Sequence, residues 1–213
     1  MAITLYRFPY SCYALKVQYL LAYLGLEHSV VDVPYGDRSQ LVALTGGRVV
    51  VPALDHDGTV VTESRTICHY LLGLTSHTLV PPALAALIWA YGDWCDTVLE
   101  DVLFRLASPG IARRFPTAAE SALFVFIKER KFGSGCVDLW QQQQDHLLAT
   151  AQGLLQPTLG SLSAQPFVAG ATVTLADIGL AAHLAMVEYA DPALVTALNP
   201  RWPDYLARVR TLV

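Results

Sequence analysis

The chain has 213 residues, of which 54% are hydrophobic and only 15% charged, with a mean hydropathy of +0.40. Globular proteins usually carry about 25% charged residues, so this chain has a surplus of apolar surface to bury, and intrinsic disorder is excluded. The formal net charge is −4 and no basic stripe is visible, which argues against nucleic acid as the main partner.

Strand and helix patterns alternate over the first part of the chain. Ile3-Thr4-Leu5-Tyr6 is a short strand, and Phe8-Pro9-Tyr10-Ser11 breaks it. Ala14, Val17, Leu20, Leu21 and Leu24 recur at helical spacing, and Gly25 suits the end of that helix. Ser29 to Val33 reads as a second strand. Arg48-Val49-Val50-Val51 reads as a third, ended by Pro52. Ala53-Leu54-Asp55 and Thr59-Val60-Val61 flank an Asp57-Gly58 hairpin turn, and Ser64 opens a helix with Ile67, Leu71 and Leu74 on one face. Residues 77–84 read as a linker. Beyond it the patterns are helical: Ala83 to about Leu106, with a break expected at Ser108-Pro109-Gly110; Thr117 to about Lys131, opened by a Thr117/Glu120 capping box; Val137 to about Leu159, weakened by Gly153 and Pro157; Thr174 to about Tyr189; and a short helix near Trp202 to Val209. The expected fold is an α/β thioredoxin-like domain over residues 1–76 and an all-α helical domain over 85–213. A β-α-β unit is followed by a hairpin and a helix that complete the sheet.

No run approaches the roughly 20 apolar residues of a membrane span, and the stretch from Leu79 to Tyr91 is interrupted by Pro81-Pro82. Residues Met1 to Arg7 lack the charge and apolar pattern of a secretion signal, so a cytoplasmic protein is expected, with no membrane partner. Cys12, Cys68, Cys95 and Cys136 form no C-x-x-C pair and read as free thiols. The six histidines are dispersed, and no metal is expected.

Four stretches in order resemble the soluble glutathione transferase superfamily. They are Leu5 to Val17 (strand, active-site turn and helix), Val51-Pro52-Ala53-Leu54, Asp57-Gly58 to Leu71 with Glu63-Ser64, and Gly170 to Ile178 with Thr174 and Asp177. Each is weak alone, and their order and spacing together are specific. The resemblance implies glutathione as co-substrate, a small apolar electrophile as second substrate, and a homodimer.

The resemblance gives each motif a role. Ser11, six residues before Val17, would cap the helix and donate a hydrogen bond to the glutathione thiolate. Lowering a thiol pKa from about 8.5 by about 2 units requires about 2.7 kcal/mol, which one charge-assisted bond and a helix terminus can supply. Cys12 is the competing catalytic residue, since a thiol at a helix N-terminus should be acidified. Tyr6 or Tyr10 is a further alternative. Val51 and the cis Pro52 would present backbone to the cysteinyl part. Glu63 and Ser64 would take the ammonium and carboxylate of the γ-glutamyl end, and Arg48, Arg38 or Gln40 the glycyl carboxylate. Phe8, Tyr10, Trp89, Trp94 and Phe115, with Tyr91 and Phe104, offer aromatic lining for the second substrate, and Arg113 and Arg114 could reach an anionic group on it. A glutathione transferase is the first reading. A glutathione-dependent reductase, isomerase or peroxidase using Cys12 is the second, and a non-catalytic transferase-like interaction protein the third.

Overall fold

A computed structural model describes residues 2–76 and 79–213, so His77 and Thr78 of the expected linker lie outside the described residues. Four strands form one sheet in the order β2-β1-β3-β4. β1 (Ile3–Arg7) runs parallel to β2 (His28–Asp32), and α1 (Cys12–Tyr23) makes the crossover between them. β3 (Ala53–His56) is antiparallel to β1, and β4 (Thr59–Thr62) is antiparallel to β3. The Asp57-Gly58 turn has positive φ at both residues (50° and 86°), as a two-residue hairpin turn requires.

Strand alternation divides the sheet into two faces. Leu5 and its register partner Leu54 face α1 and α3 (Ser64–Gly73), packing with Val17, Leu20, Ile67 and Leu71. Tyr6 and its partner Ala53 face the other way, onto Leu41 of α2 (Ser39–Leu44). The chain therefore has a thioredoxin-like α/β unit, and helices follow it to the end. They begin with a 3₁₀ turn (Pro82–Leu84) and α4 (Ala85–Trp94). A π-helical turn (Cys95–Leu99) joins α4 to α5 (Glu100–Ala112), and α6 (Ala118–Phe132), α7 (Cys136–Gln142) and α8 (Gln144–Ala164) come next. α9 (Leu175–Ala190) is buried along almost its whole length, with α10 (Pro192–Leu198) and α11 (Trp202–Arg210) packed around it. Past the undescribed pair, Leu79 is buried and its carbonyl accepts from Leu175 N–H at 3.1 Å, which ties the connection to the start of α9.

Four expectations are corrected. Arg48 to Val51 is not a strand: both edges of β3 are already paired, and the ladder starts only after Pro52, whose nitrogen has no hydrogen to donate. Ser108-Pro109-Gly110 does not break the helix. α5 passes through it fully buried, and Ser108 Oγ donates to the Phe104 carbonyl at 2.7 Å. Gly110 serves a close helix contact: a Cβ there would lie 2.8 Å from Ala190 Cβ, so burial against α9 outweighs the proline's cost of about 3 kcal/mol. The Val137 to Leu159 pattern is two helices divided at Gln143, and the second runs through Gly153 and Pro157 to Ala164. The short helices α2 and α10 were not anticipated.

The N-terminus of α9 is held by one carboxylate. Thr174 and Asp177 form the expected reciprocal capping box, and Val173 and Ile178 share one apolar cluster. Asp177 does more than cap. It is fully buried, and Oδ1 accepts from Val168 N–H (2.8 Å) and Tyr205 O–H (2.9 Å) while Oδ2 accepts from Thr174 N–H (2.9 Å). With the Thr174 hydroxyl also donating to Oδ2 at 3.0 Å, Asp177→Ala leaves four donors, buried or part-buried, without their acceptor. It should cost about 2–4 kcal/mol rather than the roughly 1 kcal/mol of a lost cap. Urea unfolding measures this, and an unchanged midpoint would contradict it.

Candidate functional site

The turn after β1 sets the first functional group. Ser11 N–H donates to the Phe8 carbonyl at 2.9 Å, closing the turn and bringing the chain into α1. Ser11 is the N-cap, with extended φ/ψ of −73° and 111°, and its Oγ accepts from Ala14 N–H at 3.3 Å. The cap uses an oxygen lone pair, so the hydroxyl proton is left to donate elsewhere. Half-buried Ser11 lies on the wall of a cavity of about 520 Å³.

Cys12 differs from the acidified thiol expected of a helix N-terminus. It is buried, and burial, with Glu100 and Asp96 nearby, pushes its thiol well above the usual range. Tyr10 is also buried and pushed upward by burial and by Tyr35. Tyr6 packs under the sheet with Val33, Leu41 and Ala53, away from the cavity. Tyr10, Ser11 and Cys12 all line the larger cavity, and Ser11 is the least buried of the three.

A second cavity of about 410 Å³ is lined by Tyr13, Val51, Pro52, Glu63, Ser64, Arg65 and Asp96. The Val51–Pro52 bond is cis. Glu63 has φ of +69°, in the region that non-glycine residues rarely adopt, and its exposed side chain does not cap α3. Ser64, the first residue of α3, is buried against the cavity. Tyr13 belongs to the walls of both cavities, and its hydroxyl donates to the Asp96 carbonyl at 2.8 Å.

The expected cations separate. Arg48 lies outside both cavities and donates to Thr62 Oγ1 at 2.5 Å. Gln40 is exposed on α2. Arg38 lines the larger cavity, its guanidinium over the Tyr35 ring at 4.2 Å and its Nε donating to the Tyr35 carbonyl at 2.9 Å. Its Nη2 is buried, with no hydrogen-bond partner among the described residues.

Only part of the expected aromatic set reaches the larger cavity. Phe8, Tyr10 and Phe104 line it. Phe115 packs behind that wall on Tyr35, Tyr10 and Phe124. Trp89 stacks on His69 at 4.0 Å, and Trp94 packs on Tyr91, so neither lines it. Arg113 bonds to Gln141, and Arg114 lies over Tyr189. Sequence reasoning missed Tyr35, Glu100, Ile127, Lys128, Lys131 and Phe132. The α6 group occupies positions i, i+1, i+4 and i+5, a one-face spacing that could have drawn notice.

The wall formed by α5 and α6 holds shifted acids and bases. Burial pushes the Glu100 carboxyl up to about 7, opposed by Lys131 and Lys128. Burial and the Lys131 charge push Lys128 down to about 8. Among the described residues no group of three or more His, Cys, Asp or Glu is arranged to hold a metal, and no helix is long and apolar enough to cross a membrane.

Comparison with known proteins bears on the fold that carries this arrangement. Residues 5–78 match the family model described as glutathione S-transferase, N-terminal domain. No curated protein matches the chain. Two glutathione S-transferases of Ceriporiopsis subvermispora, both in complex with glutathione, superpose over nearly all of it. One has TM-score 0.84 at 17% identity, covering 99% of this chain and 97% of that one; the other has TM-score 0.81 at 20% identity, covering 100% and 98%. A glutathione transferase of Phanerochaete chrysosporium gives TM-score 0.77 at 20% identity, covering 100% and 98%. At these identities the likeness is one of fold. Residues 5–78 thus carry the sequence of a glutathione S-transferase N-terminal domain, and the chain as a whole has the fold of solved glutathione transferases.

The Glu100 shift predicts a pH effect on stability. Below about pH 4.5 the carboxyl is neutral in both states; between about 4.5 and 7 only the unfolded chain ionises; above about 7 the folded state carries a poorly solvated charge. Stability contributed by this group therefore falls as pH rises through that window. Glu100→Gln should raise the melting temperature at about pH 8, by an amount of order 1–3 kcal/mol in stability, and change it little near pH 4. Equal effects at both pH values would contradict the assignment.

Proposed function

We propose that the protein is a glutathione transferase in which Ser11 stabilises the thiolate of glutathione for attack on a small apolar electrophile. One observation carries the reading. Ser11 stands at the start of α1 on one cavity wall, and Tyr13 joins that cavity to a second one bearing Glu63 and Ser64. In this reading glutathione spans both. Its γ-glutamyl carboxylate meets the Ser64 hydroxyl and the first N–H groups of α3, and its ammonium meets Glu63, with Asp96 on the same cavity wall. The cysteinyl part runs along the Val51 backbone beside Pro52. The glycyl carboxylate takes the unpartnered Nη2 of Arg38, a better candidate than the engaged Arg48.

The thiol proton leaves to solvent, the thiolate sulfur bonds to the electrophilic carbon, and the leaving group departs with its electron pair. The Ser11 O–H and the α1 terminus favour the anion while the aromatic wall of Phe8, Tyr10 and Phe104 holds the apolar partner. The buried, poorly acidic Cys12 disfavours a mixed-disulfide reaction. All four cysteines are free and buried, which suits a reducing cytoplasm. Exposed Leu87 and Val98 offer apolar surface for a homodimer.

Calorimetry with glutathione tests the reading. The parent protein should bind it, and Ser64→Ala and Glu63→Gln should each weaken binding by about tenfold or more while the melting curve shows a folded protein. No binding by the parent would overturn the proposal.

A further inference from the structure

The larger cavity has an imbalance of charge that an apolar electrophile does not use. Three cations line it: Arg38 from the α2 side, and Lys128 and Lys131 from α6. Two carboxylates oppose them, but Asp101 is engaged by Arg105 at 2.8 Å. That leaves Glu100 against three positive charges. Once Arg38 holds the glycyl carboxylate, the two lysines still exceed Glu100 by one charge.

Lys128 is the most conspicuous member. Its ammonium lies over the faces of Phe104 (4.7 Å) and Phe124 (4.9 Å), and among the described residues no carboxylate comes within 4.0 Å of it and no hydrogen-bond acceptor satisfies its three N–H groups. An ammonium in such surroundings has lost water without gaining a counter-charge. The same wall supplies flat apolar surface in Phe8, Tyr10, Phe104 and Phe132.

We propose that the second substrate is an aromatic electrophile bearing an anionic group, a carboxylate or sulfonate, and that Lys128 is the residue that selects it. The inference rests on the transferase reading. The ring lies against the aromatic wall, the anion accepts from the Lys128 ammonium with Lys131 nearby, and the reacting carbon faces Ser11. With a chloro-substituted ring, the thiolate sulfur bonds to the carbon carrying chlorine, the C–Cl bond breaks, and chloride leaves with the bonding pair. Burial, and then the Lys131 charge, hold the Lys128 ammonium down at about 8, and the groups that face it are Glu100, Asp101, Arg38, Lys131 and Cys136.

Two paired probes test this. One pair is a dinitrobenzoate and the dinitrobenzene lacking only the carboxylate, titrated calorimetrically without glutathione. The other is the corresponding chloro-dinitrobenzoate and chloro-dinitrobenzene, whose kcat/KM values are each divided by the rate with free glutathione. Wild-type protein should prefer the carboxylate member of each pair by about tenfold or more, the worth of one charge-assisted bond. Lys128→Met should reduce that ratio by about tenfold, and Lys128→Arg should hold it within about threefold. Equal affinity for the two members in the wild type, or an unchanged ratio in Lys128→Met, would overturn the proposal. A Lys128-dependent preference for the dinitrobenzoate in a protein that binds no glutathione would uphold the anion site and overturn the transferase reading.

Discussion

The packing of α1 against α9 is the contact on which the rest of the structure depends. α1 covers the sheet with Val17, Leu20 and Leu21, and on its other side Leu15 packs with Ala182 and Ala185 of α9. Small residues let the helices approach, and Gly179 faces the stem of Lys16. Lys16 Nζ then reaches Asp96 Oδ2 at 2.5 Å, so a nearly buried ion pair links the α/β unit to the π turn between α4 and α5. His183, also on α9, uses Nδ1 on the Gly179 carbonyl and holds Nε2 3.7 Å from Asp96 Oδ1. Burial pushes it down to about 4, so it is neutral at physiological pH. Removing one member of such a pair would strand the other charge, which makes this contact a determinant of how the two parts sit.

The site follows from that placement. Fixing α1 fixes Ser11 at its N-terminus and Tyr13 in the wall shared by the two cavities. α3 packs beside α1 under the same sheet, so its first residue, Ser64, opens on the neighbouring cavity. Two helix N-termini thus border neighbouring cavities that share Tyr13 in their walls, each with N–H groups free of intrahelical partners and with partial positive charge. The proposed ligand, a short peptide with a thiolate in its middle and a carboxylate at its end, matches that pair of termini in charge. The surplus of apolar residues noted in the composition goes into two large cores on either side of α1 and α4, and into the aromatic wall of the larger cavity.

What was legible in the sequence is what is encoded locally. The Ile3 to Tyr6 strand, the Asp57-Gly58 turn, the Ser11 cap and the Thr174/Asp177 box depend on neighbours a few residues away, and the structure contains all four. Features set by distant contacts were misread. Pro109 and Gly110 read as a helix stop because their burial, with Gly110 against Ala190 eighty positions on, leaves no local mark. Trp89 and Trp94 were taken for pocket residues because helical spacing gives a face but not what the face meets, and Trp89 meets His69 and Arg65. Lys128 shares a one-face spacing with Ile127, Lys131 and Phe132, but neither it nor Glu100 carries a local signal of its role. Their roles arise only when α5 and α6 pack side by side and strip water from both.

The most direct measurement of the central claim is the ionisation of glutathione bound to the protein, followed by thiolate ultraviolet absorbance against pH. If Ser11 and the α1 terminus hold the thiolate, the bound thiol ionises below its free value of about 8.5, and Ser11→Ala moves it up by about one unit or more while Cys12→Ala leaves it in place. A titration unaltered by Ser11→Ala, or one that shifts with Cys12→Ala instead, would contradict the account.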